Sequence, residues 1–108
     1  MTLIKKLSDY RNGRNCTLLC VGPMSKNCVD ASIELAEQYK SPLTLIASRR
    51  QIDDDFCGGG YVNNWTTDKF SSYVTKRDKK GKIYLARDHG GPWQNPIEIE
   101  LNLGLRQA

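Results

Sequence analysis

The chain has 108 residues, 39% of them hydrophobic and 26% charged, with a net charge of +4 from 16 basic and 12 acidic side chains. This is the composition of an ordinary folded domain, which excludes a disordered, fibrous or disulfide-dense scaffold. No apolar stretch approaches the roughly 20 residues of a membrane helix, and the first residues have too short an apolar run for a secretory signal.

Apolar periodicity lays out alternating strands and helices. Residues 16–21 (Cys-Thr-Leu-Leu-Cys-Val) form a nearly continuous apolar run, as expected of a strand buried on both faces. Gly22-Pro23-Met24 breaks the run. Ser25 is placed to cap a helix over 26–39, with Val29, Ile33, Ala36 and Tyr39 on one stripe. Pro42 stops that helix, because proline disfavours the α conformation in the residue before it. After this short connection a second buried strand is expected over 43–48.

A long polar and glycine-rich segment occupies 49–65. Thr66 caps the next helix, with Asp68 in its first turn and Phe70, Tyr73 and Val74 on one face. The one dense basic cluster, over 76–82, is broken by Asp78 and Gly81 and reads as a solvated loop. A nucleic-acid partner is therefore not expected, because such proteins gather basic residues on one face or stripe. A third strand is expected over 82–87, closed by Asp88-His89-Gly90-Gly91-Pro92-Trp93. Asn95, Pro96 and Glu98 are a good helix start as cap, first and third residue. That helix is expected to continue to 108 on an apolar stripe of Ile97, Leu101 and Leu105, with Gly104 weakening it by about 1 kcal/mol.

Three βα units in sequence imply an α/β fold with a parallel sheet and right-handed crossovers. A closed (β/α)₈ barrel needs about 250 residues. Residues 1–108 are therefore expected to be the first three units of one barrel domain, truncated or completed by another chain. The four cysteines, at 16, 20, 28 and 57, contain no Cys-x-x-Cys pair and read as buried, reduced thiols of a cytoplasmic protein.

In barrels the chemistry sits at the carboxyl ends of the strands. Here those ends hold Gly22-Pro23, Ser48-Arg49-Arg50 and Asp88-His89. Histidine is a common zinc ligand, and a neighbouring carboxylate can serve as general acid or base. The plainer alternative is that Asp88 caps the turn through backbone amides and His89 is partly buried. A catalytic zinc normally has three protein ligands, and this chain has one histidine. Cys57-Gly58-Gly59-Gly60 could bring backbone N–H groups to a phosphate, but it matches neither the P-loop nor the dinucleotide fingerprint. Arg49 and Arg50 could clamp a sugar phosphate, while Asp53-Asp54-Asp55 and the two tryptophans read as a solvated loop and as packing.

The order Ser48, Gln51, Gly59-Gly60-Tyr61, Thr66 and then Asp88-His89-Gly90-Gly91-Pro92-Trp93-Gln94 resembles the N-terminal part of the accessory, Z-type subunits of class II tagatose-bisphosphate aldolase. The likeness runs from about residue 16 to 108. These subunits are similar to the zinc-dependent class II fructose- and tagatose-bisphosphate aldolases, which are (β/α)₈ barrels. The resemblance implies a phosphorylated sugar substrate, His89 as a Zn2+ ligand and Asp88 as the group that exchanges a proton at the cleavable bond. Apart from the resemblance, Ser48, Arg49, Gly59 and Gly60 are the candidate substrate contacts. The resemblance also implies either metal-assisted cleavage or, as an accessory subunit, support of a partner aldolase. Arg49-Arg50 and the three aspartates depart from the family's more neutral loop. A sugar epimerase or isomerase barrel, or a small non-enzymatic module forming a homo-oligomer, therefore stays open.

Overall fold

The computed structural model describes residues 2–13 and 17–101. Along them lie α1 (Leu3–Arg11), β1 (Cys20–Val21), α2 (Lys26–Gln38), β2 (Leu43–Ser48), α3 (Thr67–Arg77), β3 (Ile83–Asp88) and α4 (Pro96–Leu101). The strands form one parallel sheet in the order β1-β2-β3, with Val21 opposite Leu45 and Ser48 opposite Asp88. The fold is α/β, as the periodicity requires.

β2 explains the layering. Its residues alternate between buried and half-buried, so Leu43, Leu45 and Ala47 share one face. That face packs with Val29, Ile33 and Ala36 of α2 and Phe70 and Val74 of α3 in a single core. Each such large apolar side chain contributes about 1.5–3 kcal/mol when fully buried. Both connecting helices therefore lie on the same side of the sheet. The expected caps form: the Ser25 and Thr66 hydroxyls accept the backbone N–H groups of Cys28 and Lys69 at 3.1 and 3.2 Å.

The opposite face carries Thr44, Ile46 and Ser48, flanked in register by Cys20 on one side and Tyr84, Ala86 and Asp88 on the other. It is the less enclosed face, and it corrects two expectations. β1 is two residues long and Cys20 is exposed, because an edge strand with one open face cannot bury both sides. Cys28 is half-buried and Cys57 alone is fully buried; Cys16 lies outside the described residues. Likewise β3, the other edge, is exposed from Leu85 to Asp88 and is shifted by one residue to take in Asp88.

Tyr39, expected on the buried stripe of α2, ends the helix as its C-cap and is exposed. α1 adds a helix ahead of the first expected strand, on apolar residues at helical spacing (Leu3, Ile4, Leu7, Tyr10); its cap is Thr2, and Ile4, Leu7 and Tyr10 stay exposed. α4 starts at Asn95-Pro96 as expected, with the Asn95 side chain accepting the Ile97 N–H at 2.9 Å. The face it buries is not the expected one. Ile97 and Ile99 are exposed, and Glu98 is completely enclosed. Leu105 and Gly104 lie outside the described residues.

Candidate functional site

The carboxyl ends of the strands hold the candidate residues Ser48, Arg49, Asp88 and His89. Asp88 is the last residue of β3 and stands beside Ser48 in the register. Its carboxylate accepts the His89 backbone N–H at 2.8 Å and lies 3.6 Å from His89 Nε2. Asp88 thus does cap the turn through an amide, while the His89 side chain is 71% exposed rather than partly buried. His89 also holds a positive φ of 44°, the left-handed region that few non-glycine residues enter, Asn, Asp and His most often. The turn presents the imidazole to solvent.

Ser48 is taken up in holding the following loop. Its backbone N–H donates to Gln51 Oε1 at 2.9 Å, and its hydroxyl accepts the Gln51 N–H at 3.2 Å. The glycine run is similarly engaged. The N–H of Gly59 donates to the Asp54 carbonyl and that of Gly60 to the Trp65 carbonyl, at 3.1 and 3.0 Å. A Cβ at Gly60 would run into the Gln51 backbone, so glycine is required there by close chain crossing. Trp65 packs against Phe70 and Tyr73, with ring centroids 5.5 and 4.9 Å away, while Trp93 is only partly covered.

Arg49 turns inward. Its guanidinium donates to Asp53 through Nε at 3.1 Å and Nη2 at 3.3 Å, and to the Gly91 carbonyl at 3.1 Å. It pairs with Glu98, and Cys57 Sγ lies 3.8 Å from Nη2. Asn95 donates to Asp53 at 3.3 Å, and Glu98 accepts the Trp93 N–H at 3.1 Å. One buried ionic cluster therefore binds three pieces of chain: the start of the 49–66 loop, the 91–95 turn and α4. Burial pulls the Arg49 pKa down, but its bonds to Glu98 and Asp53 outweigh this and hold it above the ordinary value. Burial, then the charges of Asp53 and Glu98, push the Cys57 thiol up against the opposing effect of Arg49.

Asp53, Cys57 and Glu98 each offer a ligand atom within 4.8 Å of the other two, all buried, so this group has the reach to hold a metal ion. His89 is not part of it. The sequence pattern did not reveal this cluster, because it reads Asp53 as one of three solvated aspartates and Glu98 as a helix-start residue. The one local signal is the spacing of Arg49 and Asp53, four apart, the separation at which opposite charges meet on one helical turn. The fold splits the triplet: Asp53 goes in, while the Asp54 carboxylate accepts the Phe56 N–H at 2.6 Å and Asp55 is exposed.

No protein-family model, curated protein or solved structure matches this chain. Among the described residues no helix is long and apolar enough to cross a membrane.

Proposed function

We propose that the chain supplies opening βα units of an α/β barrel acting on phosphorylated sugars, in the accessory role of the class II aldolase subunits it resembles. The observation that carries this reading is the position of Asp88 and His89. They emerge together at the carboxyl end of β3, beside Ser48, where α/β barrels place their chemistry. The winding is compatible with it: strands in consecutive order with both connecting helices on one face follow from right-handed crossovers that step the same way, as in the opening units of a barrel and equally in one half of a doubly wound sheet.

Residues 1–108 hold one of the ligands a catalytic zinc of this kind would need, His89. His89 is the single histidine, and zinc enzymes use three protein ligands. The resemblance to the accessory subunits favours support of a partner aldolase subunit, with Asp88 and His89 facing the shared sugar-phosphate site. The test is to mix the chain with a class II tagatose-bisphosphate aldolase catalytic subunit. Complex formation is followed by sedimentation and cleavage by product formation. The reading expects a complex and a faster or longer-lived activity, reduced in Asp88→Asn and His89→Ala. A partner whose activity and mass are unchanged by the chain would refute it.

A non-enzymatic module is the second reading. It is favoured by the less enclosed sheet face and by β3, whose outer edge has no strand beside it among the described residues. It predicts a homo-oligomer well above 12.2 kDa that gains nothing from sugar phosphates.

A further inference from the structure

The side of the molecule beside β1 is apolar and open. α1 reaches the body through Lys6 Nζ, which donates to the Ser41 hydroxyl at 2.8 Å, while Ile4, Leu7 and Tyr10 stay 81%, 43% and 68% exposed. A helix of nine residues is too short to persist in water by its own hydrogen bonds, so it gains from a surface that covers this stripe. Next to it opens a hollow of about 290 Å³, with Leu19, Leu35, Tyr39 and Pro42 in its walls and Lys6 at its rim. Leu19, Leu35 and Tyr39 are each about half exposed or more. Single apolar side chains at a surface are ordinary, but a gathered patch marks a contact site.

The two helices on this side also carry opposite charge. α1 has Lys5, Lys6 and Arg11 against Asp9, a net +2. α2 has Lys26 against Asp30, Glu34 and Glu37, a net −2, and Glu34 and Glu37 are exposed on the helix that presents Leu35.

We propose that this side of the molecule is a self-complementary interface for a second copy of the chain. The α1 stripe of one copy seats in the hollow of the other, and the reverse contact forms at the same time. One chain carries both halves of the match, a basic apolar helix and an acidic apolar groove, which is what a two-fold dimer requires of a single surface. The spacings agree: Ile4 and Leu7 stand about one helical turn apart, as do Leu35 and Tyr39, so the two pairs can interleave as helix ridges do. The opposite charges set the pairing of basic α1 against acidic α2 and oppose α1 against α1. This contact is separate from the open sheet face and from Asp88 and His89, and it does not depend on the accessory role.

The test is the mass of the whole chain by sedimentation equilibrium, with circular dichroism to check the fold of each variant. The wild type is expected as a dimer of twice 12.2 kDa. Ile4→Glu changes a side chain exposed in the single copy, so it should keep the fold and raise the dimer Kd about thirtyfold or more, the loss typical of a central interface residue. Glu34→Lys with Glu37→Lys should weaken the dimer too, and high salt should weaken the wild-type dimer by screening the same charges. Ala86→Lys, on the open sheet face, should leave the Kd unchanged. A wild type that stays at 12.2 kDa at its highest soluble concentration would overturn the interface. So would a dimer that survives Ile4→Glu or is lost in Ala86→Lys. Should Ile4→Glu fail to fold, an unchanged Kd in the double Glu34, Glu37 variant would overturn it instead. A monomeric chain whose binding to an added aldolase subunit is lost in Ile4→Glu would also overturn it, while leaving the accessory role standing.

Discussion

α2 turns Val29, Ile33 and Ala36 into the core and leaves Leu35 and Tyr39 outside, whereas α4 leaves Ile97 and Ile99 outside and turns Glu98 in. Both helices begin with a good polar cap, yet they attach to the body of the protein by different chemistry. An apolar stripe needs only a surface to cover, so α2 settles against β2 wherever packing is best. A buried carboxylate needs a partner at one place. Glu98 finds it in Arg49, and the 91–95 turn is fixed by the same contacts. The α2 attachment is tolerant and the α4 attachment is specific, and they should respond differently to mutation.

The largest effect is expected from removing one side of the ionic anchor. Arg49→Met should cost about 3–5 kcal/mol, because Asp53 and Glu98 are left buried without the cation that pairs them. The sharper experiment removes all three charges together: Arg49→Met with Asp53→Asn and Glu98→Gln should recover most of that loss if the group serves specificity more than stability. Chemical denaturation of the single and the triple variant decides it. A triple variant no more stable than the single one would mean that the hydrogen bonds to the Gly91 carbonyl, Trp93 and Asn95 dominate.

On the apolar side, Ile33→Ala should cost about 2–5 kcal/mol through lost burial and the cavity left behind. Unlike the ionic variants it should leave the chemical shifts of the 89–95 turn in place, which a two-dimensional NMR spectrum would check.

Next in size is the polar clamp between α2 and α3. Tyr73 donates to Asp30 at 2.5 Å, Lys26 donates to the same carboxylate at 3.1 Å, and the Arg77 guanidinium lies 4.6 Å from the Tyr73 ring centre. The Tyr73 hydroxyl, opposed by burial and aided by Lys26, holds the Asp30 pKa below the ordinary carboxylate range. A depressed folded pKa means that the contribution is complete above pH ~4 and is lost as pH falls through the lower folded value. Tyr73→Phe should cost about 1 kcal/mol at neutral pH and raise the Asp30 pKa, read by NMR titration of its side-chain carbonyl. An unmoved Asp30 titration would show that Lys26 sets it.

The smallest effect concerns His89. Its side chain is mostly exposed and its φ is positive, so His89→Gly should stabilise the fold by up to about 1 kcal/mol. A thermal melt that falls instead would show that the imidazole makes a contact the fold depends on.

Parts of this were legible in the residues. The bounds of β2 and the caps Ser25 and Thr66 follow from local pattern, because a continuous apolar run and a hydroxyl before a helix act on their immediate neighbours. The exposure of Cys20 was not legible, since it depends on how many strands stand beside β1 and what covers its second face. The ionic cluster was not legible either. Arg49 and Glu98 are 49 positions apart, and a charged residue inside an amphipathic pattern looks solvated until its partner is placed.

By itself the sequence determined an alternation of strands and helices, the ends of the best-patterned elements and the arrival of Asp88 and His89 after a strand, because periodicity and capping are local. The tertiary structure alone decided which face of α4 is buried, that Arg49 turns inward, and that Asp53, Cys57 and Glu98 converge. Charge pairs inside a protein are chosen by distance after the chain has folded back, and no spacing along the chain records that distance.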